Sequence, residues 1–369
     1  MQKRWLGLAF GIFVGFAGAC NTAELTKAGD TGEGTSGTPE VTPDNPDTTV
    51  PEGGRDPVAD LDGGVIPTSS NVTIQVQPSD FGKAIEAAIR AAKTSVHMTM
   101  YLLTDTTIID ALGDLKDAGK DVKVVLNQSF PPNGGDNSSA FTKLKARGVS
   151  VVYAPAAYTF THAKAVVIDS AKVLIMTMNL TQTSAKDNRE YIATDSDPAD
   201  VADCEKLFAA DFANQGVKVD GKLIVSPQAA SSIEPRSRLK ALIDSAKVSL
   251  DVEVQSLSDD TLTDAIILAH KDKVAVRVVL ATGNDMTAGQ MDEITKLKAA
   301  GVPVRGLAAP YIHAKALVVD NAKVFVGSQN FTNTALLQNR EIGVVTDAAT
   351  EVAKVRDVIA KDFTAATPL

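Results

Sequence analysis

The strongest constraint on this 369-residue chain is that its second half restates its first. His162-Ala163-Lys164 is followed by Asp169, Asn179 and Asn188-Arg189-Glu190. His313-Ala314-Lys315 is followed by Asp320, Asn330 and Asn339-Arg340-Glu341. Each residue of one set lies 151 positions from its match, and the chain's 4 histidines include the two that head these sets. A lone His-x-Lys carries little information. Eight matched residues at one spacing define a duplicated unit, and an internal duplication decides the architecture.

Hydrophobic patterning around the sets predicts an α/β fold. In the first copy a helical pattern (Phe81, Ile85, Ile89) precedes a strand at residues 95–102, a helix at 108–116 and a strand at 122–126. A loop at 127–140, a helix ending at Gly148 and a strand at 149–153 follow. The second copy runs the same course: helix 239–246, strand 248–254, helix 263–269, strand 274–280 and a helix ending near Gly301. Valine-rich strands alternating with helices predict a sheet flanked by helices in each repeat. The join falls near residues 217–222, giving repeats at 71–218 and 219–369.

Within each set, His and Lys two apart in a strand-like run leave the same face. Asp169-Ser170 and Asp320-Asn321 mark tight turns, and the strands returning at 173–178 and 324–329 bring Asn179 and Asn330 back to the His-Lys end. An imidazole, an ammonium and a carboxamide on one rim suit a phosphate.

These residues resemble the "HKD" motif of the phospholipase D superfamily, His-x-Lys-x4-Asp-x6-Gly-Ser-x-Asn. The second copy matches it throughout, with Gly327, Ser328 and Asn330; the first has Met176 and Thr177 in place of Gly and Ser. The resemblance spans residues 71–369. It implies two tandem α/β repeats with mixed sheets, related by a pseudo-two-fold axis and sharing one site. One histidine attacks phosphorus and the other protonates the leaving alcohol, with His162 taken as nucleophile and His313 as acid. Lys164, Lys315, Asn179 and Asn330 are expected to hold the phosphate, with hydrogen bonds from Thr177 and Ser328. Glu190 and Glu341 are expected to orient the imidazoles, and Asp169 and Asp320 to stabilise turns. No metal or other cofactor is implied.

The termini and composition place this chemistry. Lys3 and Arg4, an uncharged run from Trp5 to Ala19 and Cys20 predict a signal peptide at residues 1–19. Ala17-Gly18-Ala19-Cys20 resembles a bacterial lipobox, making Cys20 a candidate lipidation site and the protein an envelope lipoprotein, in the outer membrane or periplasm, or a secreted one. Residues 20–70, poor in large apolar side chains, read as a flexible tether. With Cys20 lipidated, Cys204 has no disulfide partner and is expected to be a buried thiol. The net charge of −9 counts against a nucleic-acid surface. A monomeric phospholipid phosphodiesterase is therefore the leading expectation. A secreted nuclease and an inactive phosphate- or lipid-binding lipoprotein are the alternatives.

Overall fold

The computed structural model describes residues 66–131, 135–227 and 234–369. The signal segment, Cys20 and the tether up to residue 65 lie outside the described residues. The first repeat contains β1 (Val72–Gln77), α1 (Lys83–Arg90), β2 (Ser95–Met100), α2 (Thr106–Asp117), β3 (Asp121–Leu126) and α3 (Ser138–Ala146). It continues through β4 (Ser150–Tyr153), β5 (Lys164–Ile168), β6 (Lys172–Met176), α4 (Gln182–Asp187), β7 (Asn188–Asp195) and α5 (Pro198–Phe212). The second contains β8 (Ile224–Ser226), α6 (Pro235–Asp244), β9 (Ser249–Val254), α7 (Asp260–Lys271), β10 (Ala275–Ala281), α8 (Ala288–Ala299) and β11 (Val304–Leu307). It closes with β12 (Tyr311–Ile312), β13 (Lys315–Val319), β14 (Lys323–Gly327), α9 (Asn333–Leu337), β15 (Glu341–Thr346), α10 (Ala349–Ala365) and β16 (Thr367–Pro368).

Both sheets are mixed. The first runs β1-β7-β6-β5-β2-β3-β4, and the second runs β8-β15-β14-β13-β9-β10-β11-β16. Seven strands match in order, as the duplication requires; β16 extends the second sheet, and β12 adds to the first by pairing with β7. Local chemistry repeats as well: Thr181 caps α4 by accepting from the Ser184 N–H, and Thr332 caps α9 by accepting from the Ala335 N–H.

Three apolar clusters make the core. One lies between the first sheet and α1–α3, another between the second sheet and α6–α9. The third joins the halves. It combines Ala163, Ala165, Val173 and Ile175 with Ala314, Ala316, Val324 and Val326, together with Cys204 and Leu207 of α5 and Val355 and Ile359 of α10. Alanines at matched positions of β5 and β13 keep this central layer thin. The halves thus form one body, and the mouth of the junction is where the duplicated motifs meet. Cys204 is buried and unpaired, and burial pushes its thiol well above the ordinary range.

One boundary is corrected. The tether was expected to run to residue 70, but Ile66 is buried in the second repeat's core. Ser69 donates its N–H to Val345 O at 2.7 Å, and its carbonyl accepts from Thr346 Oγ1 at 2.9 Å. The chain then crosses to β1, which pairs with β7 of the other half. A single isoleucine in a Gly/Pro/Asp-rich stretch gives no periodicity to detect. Ile66→Ala is expected to lower stability by about 2–4 kcal/mol in urea unfolding, the usual cost of emptying a buried aliphatic site.

Candidate active site

The motif residues sit on two matched hairpins. β5 returns as β6 through Asp169-Ser170, with φ of 57° and 49°, and β13 returns as β14 through Asp320-Asn321, both at 53°. Two consecutive left-handed residues define a two-residue hairpin turn that Asp and Asn tolerate. Asp169 accepts from the N–H groups of Lys93, Thr94 and Ser95 at 2.7–3.1 Å. Asp320 accepts from those of Lys247, Val248 and Ser249. Burial works to raise the Asp169 pKa, but these donors win and hold it at about 2. Both aspartates are thus spent on backbone.

What brings the hairpins together is an exchange of backbone at the junction. The residues just before each hairpin leave their own sheet and pair with the other half. His162 and Ala163 donate their N–H groups to Arg340 O at 2.9 and 2.8 Å, and Arg340 N–H donates back to Phe160 O. The mirror contact pairs Tyr311 and Ile312 with Asn188 and Arg189, and His313 N–H donates to Arg189 O at 3.2 Å. Each histidine therefore lies beside the glutamate of the opposite repeat. His162 Nδ1 is 2.9 and 3.0 Å from the two Glu341 oxygens. His313 Nδ1 is 2.8 Å from Glu190 Oε1, without the N–H···O alignment of the first pair. At His162, with Nδ1 engaged, Nε2 is the ring nitrogen left to act.

All four groups are buried. Burial, then the charges of Lys164, Lys315 and His313, hold the His162 pKa well below 6.5. Burial also lowers His313, with Lys315 and Lys164 acting the same way and Glu190 opposing. Burial pushes Glu341 up to about 7, against the lowering effect of Lys164, Ser328, Asn339 and Lys315. The raised carboxyl contributes stability in full below pH 4.5 and loses it as pH rises through about 7, whereas the depressed histidine costs stability as pH falls below 6.5.

The ammonium groups are anchored from behind. Lys164 Nζ donates to His162 O at 2.6 Å and Lys315 Nζ to His313 O at 2.7 Å. Each side chain curls back onto its own motif, presenting two positive charges to the space beside the imidazoles. The side-chain oxygens of Asn179 and Asn330, matched and buried, meet no hydrogen-bond partner among the described residues. Such unmet polar groups are uncommon in a core.

Two expectations change. Thr177 and Ser328 were assigned to the phosphate, but their hydroxyls hold the glutamates and neighbouring backbone. Thr177 Oγ1 donates to Glu190 Oε2 at 2.5 Å and accepts from Tyr191 N–H at 2.9 Å. Ser328 accepts from Ile342 N–H at 3.1 Å and lies in hydrogen-bonding contact with Glu341. Met176, which stands where the motif has glycine, turns away from the motif residues. Its side chain is buried in the helix-covered core beside Ile192, its cross-strand partner. At Gly327 an added Cβ would meet Gly343 Cα at 2.8 Å, so the second copy needs glycine where the first makes room for methionine.

The matched arginines have partners that the sequence reading did not single out. Arg340, 2% exposed, makes a two-pronged pair with Asp211 at 2.9 and 3.0 Å, and Arg189 pairs with Asp362 at 2.5 and 3.1 Å. Asp211 and Asp362 share the 151-residue spacing, which is the signal that was available. Of the aromatic residues near the motifs, Tyr101 packs its ring edge-on to His162 at 4.6 Å and Phe160 lies 6.2 Å from Tyr101. Tyr158 instead donates to Asp211 and stacks on Arg340, and Phe331 is core.

A two-sheet α/β body with histidine, lysine and glutamate from both halves converging on one junction defines a fold for phosphoryl chemistry. The family described as cardiolipin synthase, PLD-like domain matches residues 85–212 and again 239–363. The chain belongs to the phospholipase D superfamily. It is 40% identical over 112 residues to a mitochondrial cardiolipin hydrolase of Xenopus tropicalis, covering 30% of this chain and 52% of that protein. It is 33% identical over 100 residues to a phospholipase D of Rickettsia conorii, covering 27% and 49%. The chain thus spans about half the length of these curated relatives. In fold it is similar to the phosphatidylserine synthase of Haemophilus influenzae, with a TM-score of 0.62 and 14% identity over 81% of this chain and 87% of that one.

Proposed function

We propose that this protein is an exported, monomeric phosphodiesterase that cleaves or exchanges phospholipid headgroups through a phosphohistidine. The observation that carries the reading is the reciprocal bracing of two buried imidazoles by each other's glutamates, between two lysines. His162 is neutral, and its Nδ1–H is held by Glu341, so the Nε2 lone pair attacks phosphorus. As the N–P bond forms, the P–O bond to the headgroup breaks and His313 delivers a proton to the departing oxygen. Water, or another alcohol, then loses its proton to His313 and displaces His162. Lys164 and Lys315 balance charge on the non-bridging oxygens, where fixed countercharge lowers the barrier most. A bound phosphate anion also opposes the lysines' depression of His313, which favours the protonated acid. The names of the relatives, a cardiolipin hydrolase and a phospholipase D, favour a lipid substrate. Attachment through Cys20 would hold the enzyme at the bilayer that supplies it.

Incubating the purified chain with vesicles of phosphatidylethanolamine, phosphatidylglycerol or cardiolipin plus ethanol is expected to yield phosphatidic acid and phosphatidylethanol. Cleavage of DNA with no lipid turned over would replace this reading with the nuclease. A pH profile tests the bracing. The working form of Glu341 is the carboxylate that accepts Nδ1–H, and His162 is already neutral. The ratio kcat/KM is therefore expected to rise with pH around 7, and Glu341→Gln to remove that rise along with most activity.

A further inference from the structure

The catalytic groups obey the pseudo-two-fold axis, but the walls beside them do not. On the His162 side, the residue following β2 is Tyr101. Its ring lies 4.6 Å from the His162 ring, 4.9 Å from the Lys164 ammonium and 4.9 Å from Phe130. Phe160, two residues before His162, extends this wall. Tyr101 is buried, while Phe130 and Phe160 are part-exposed. On the His313 side the corresponding position after β9 is Gln255, which accepts from Lys315 Nζ at 2.9 Å. Its amide donates to Asp285 Oδ1 at 3.1 Å and to the Tyr311 hydroxyl at 3.0 Å, and Tyr311 donates to Asp285 Oδ2. Tyr311 occupies the place of Phe160, stacks on His313 at 6.4 Å and is part-exposed. Asp285, in the loop after β10, stands where the loop after β3 supplies Phe130. One wall is aromatic; its mate is a carboxylate, a carboxamide and a phenol.

We infer that this asymmetry sorts the two ends of the substrate: Asp285 and Tyr311 receive a leaving alcohol that carries a hydrogen-bond donor, and Tyr101, Phe130 and Phe160 receive the apolar ester retained on phosphorus. The inference rests on the phosphohistidine reading above. In an in-line displacement the leaving oxygen lies opposite the nucleophile, hence beside the acid His313 and the polar wall. Among the described residues Asp285 receives one donor on each oxygen, while a carboxylate accommodates about four, so it can take a hydroxyl or ammonium of the headgroup as well. The aromatic wall does not suit a cationic headgroup, because the Lys164 ammonium already lies over the Tyr101 ring and repels a second positive charge. Apolar surface is what such a wall binds.

The test compares p-nitrophenyl decyl phosphate, p-nitrophenyl methyl phosphate and micellar phosphatidylethanolamine or phosphatidylglycerol, using the full chain. Tyr311→Phe keeps the ring against His313 and removes the hydroxyl. It is expected to lower kcat/KM for the two phospholipids about tenfold more than for the p-nitrophenyl decyl ester, the worth of one lost hydrogen bond. Phe160→Ala is expected to erode the decyl-over-methyl preference several-fold while sparing the ethanolamine-to-glycerol ratio. Equal losses on every substrate in both variants, or a phosphoryl group mapped to His313 by mass spectrometry, would overturn the sorting. If the wild-type chain turns over the p-nitrophenyl esters but no phospholipid, the lipid reading fails separately, and the decyl-to-methyl ratio of Phe160→Ala still decides the sorting.

Discussion

His162→Ala is expected to lower kcat for a phosphodiester by about 10⁴-fold or more, the scale of losing a covalent nucleophile. His313→Ala should fail differently. With a p-nitrophenyl diester the leaving group departs without a proton, so the N–P bond at His162 still forms. Hydrolysis then stalls, because the base that activates water is gone. A burst of p-nitrophenol, followed by accumulated phosphohistidine on His162, is the expected signature, read by stopped-flow absorbance and peptide mass spectrometry. A burst in His162→Ala and none in His313→Ala would reverse the assignment of roles.

The second large effect concerns stability. Asp211→Ala leaves the Arg340 guanidinium, 2% exposed, without its carboxylate at the centre of the molecule. Removing one partner of a buried ion pair costs about 3–5 kcal/mol, to be read as a lowered urea midpoint. Arg340→Met combined with Asp211→Leu should recover much of that loss, since two apolar side chains leave no charge unmatched. Recovery of stability without recovery of turnover would separate the pair's structural contribution from its placement of the neighbouring Glu341. If Asp211→Ala unfolds at the wild-type midpoint, the pair is not a structural lock.

Much of this was legible in the sequence because duplication converts weak signals into strong ones. The offset shared by His162 and His313 predicted two equivalent α/β units, and hydrophobic alternation around residues 95–102 and 248–254 placed the strands that carry them. Asp169-Ser170 and Asp320-Asn321 marked the hairpins by their tolerance of left-handed backbone. What stayed hidden depends on contacts between the halves. No local pattern says that the backbone at Thr161 and Tyr311 leaves its own sheet to join the other, so the pairing of each histidine with the opposite glutamate was out of reach. Thr177 and Ser328 are a separate case: a hydroxyl two residues from the motif asparagine looks like a phosphate ligand, and only the fold shows it hydrogen-bonded beside the glutamate of its own repeat. Asp285 is separated from Tyr311 by 26 positions and breaks the symmetry that guided the reading, so it attracted no notice.

The exchanged backbone at Arg189 and Arg340 has one more consequence. Because each repeat supplies the brace for the other's imidazole, damage is expressed at a distance from its origin: a lesion at Glu190 is felt at His313, and one at Glu341 at His162. Neither copy can decay quietly while its twin carries on alone, and the two are bound to a common fate.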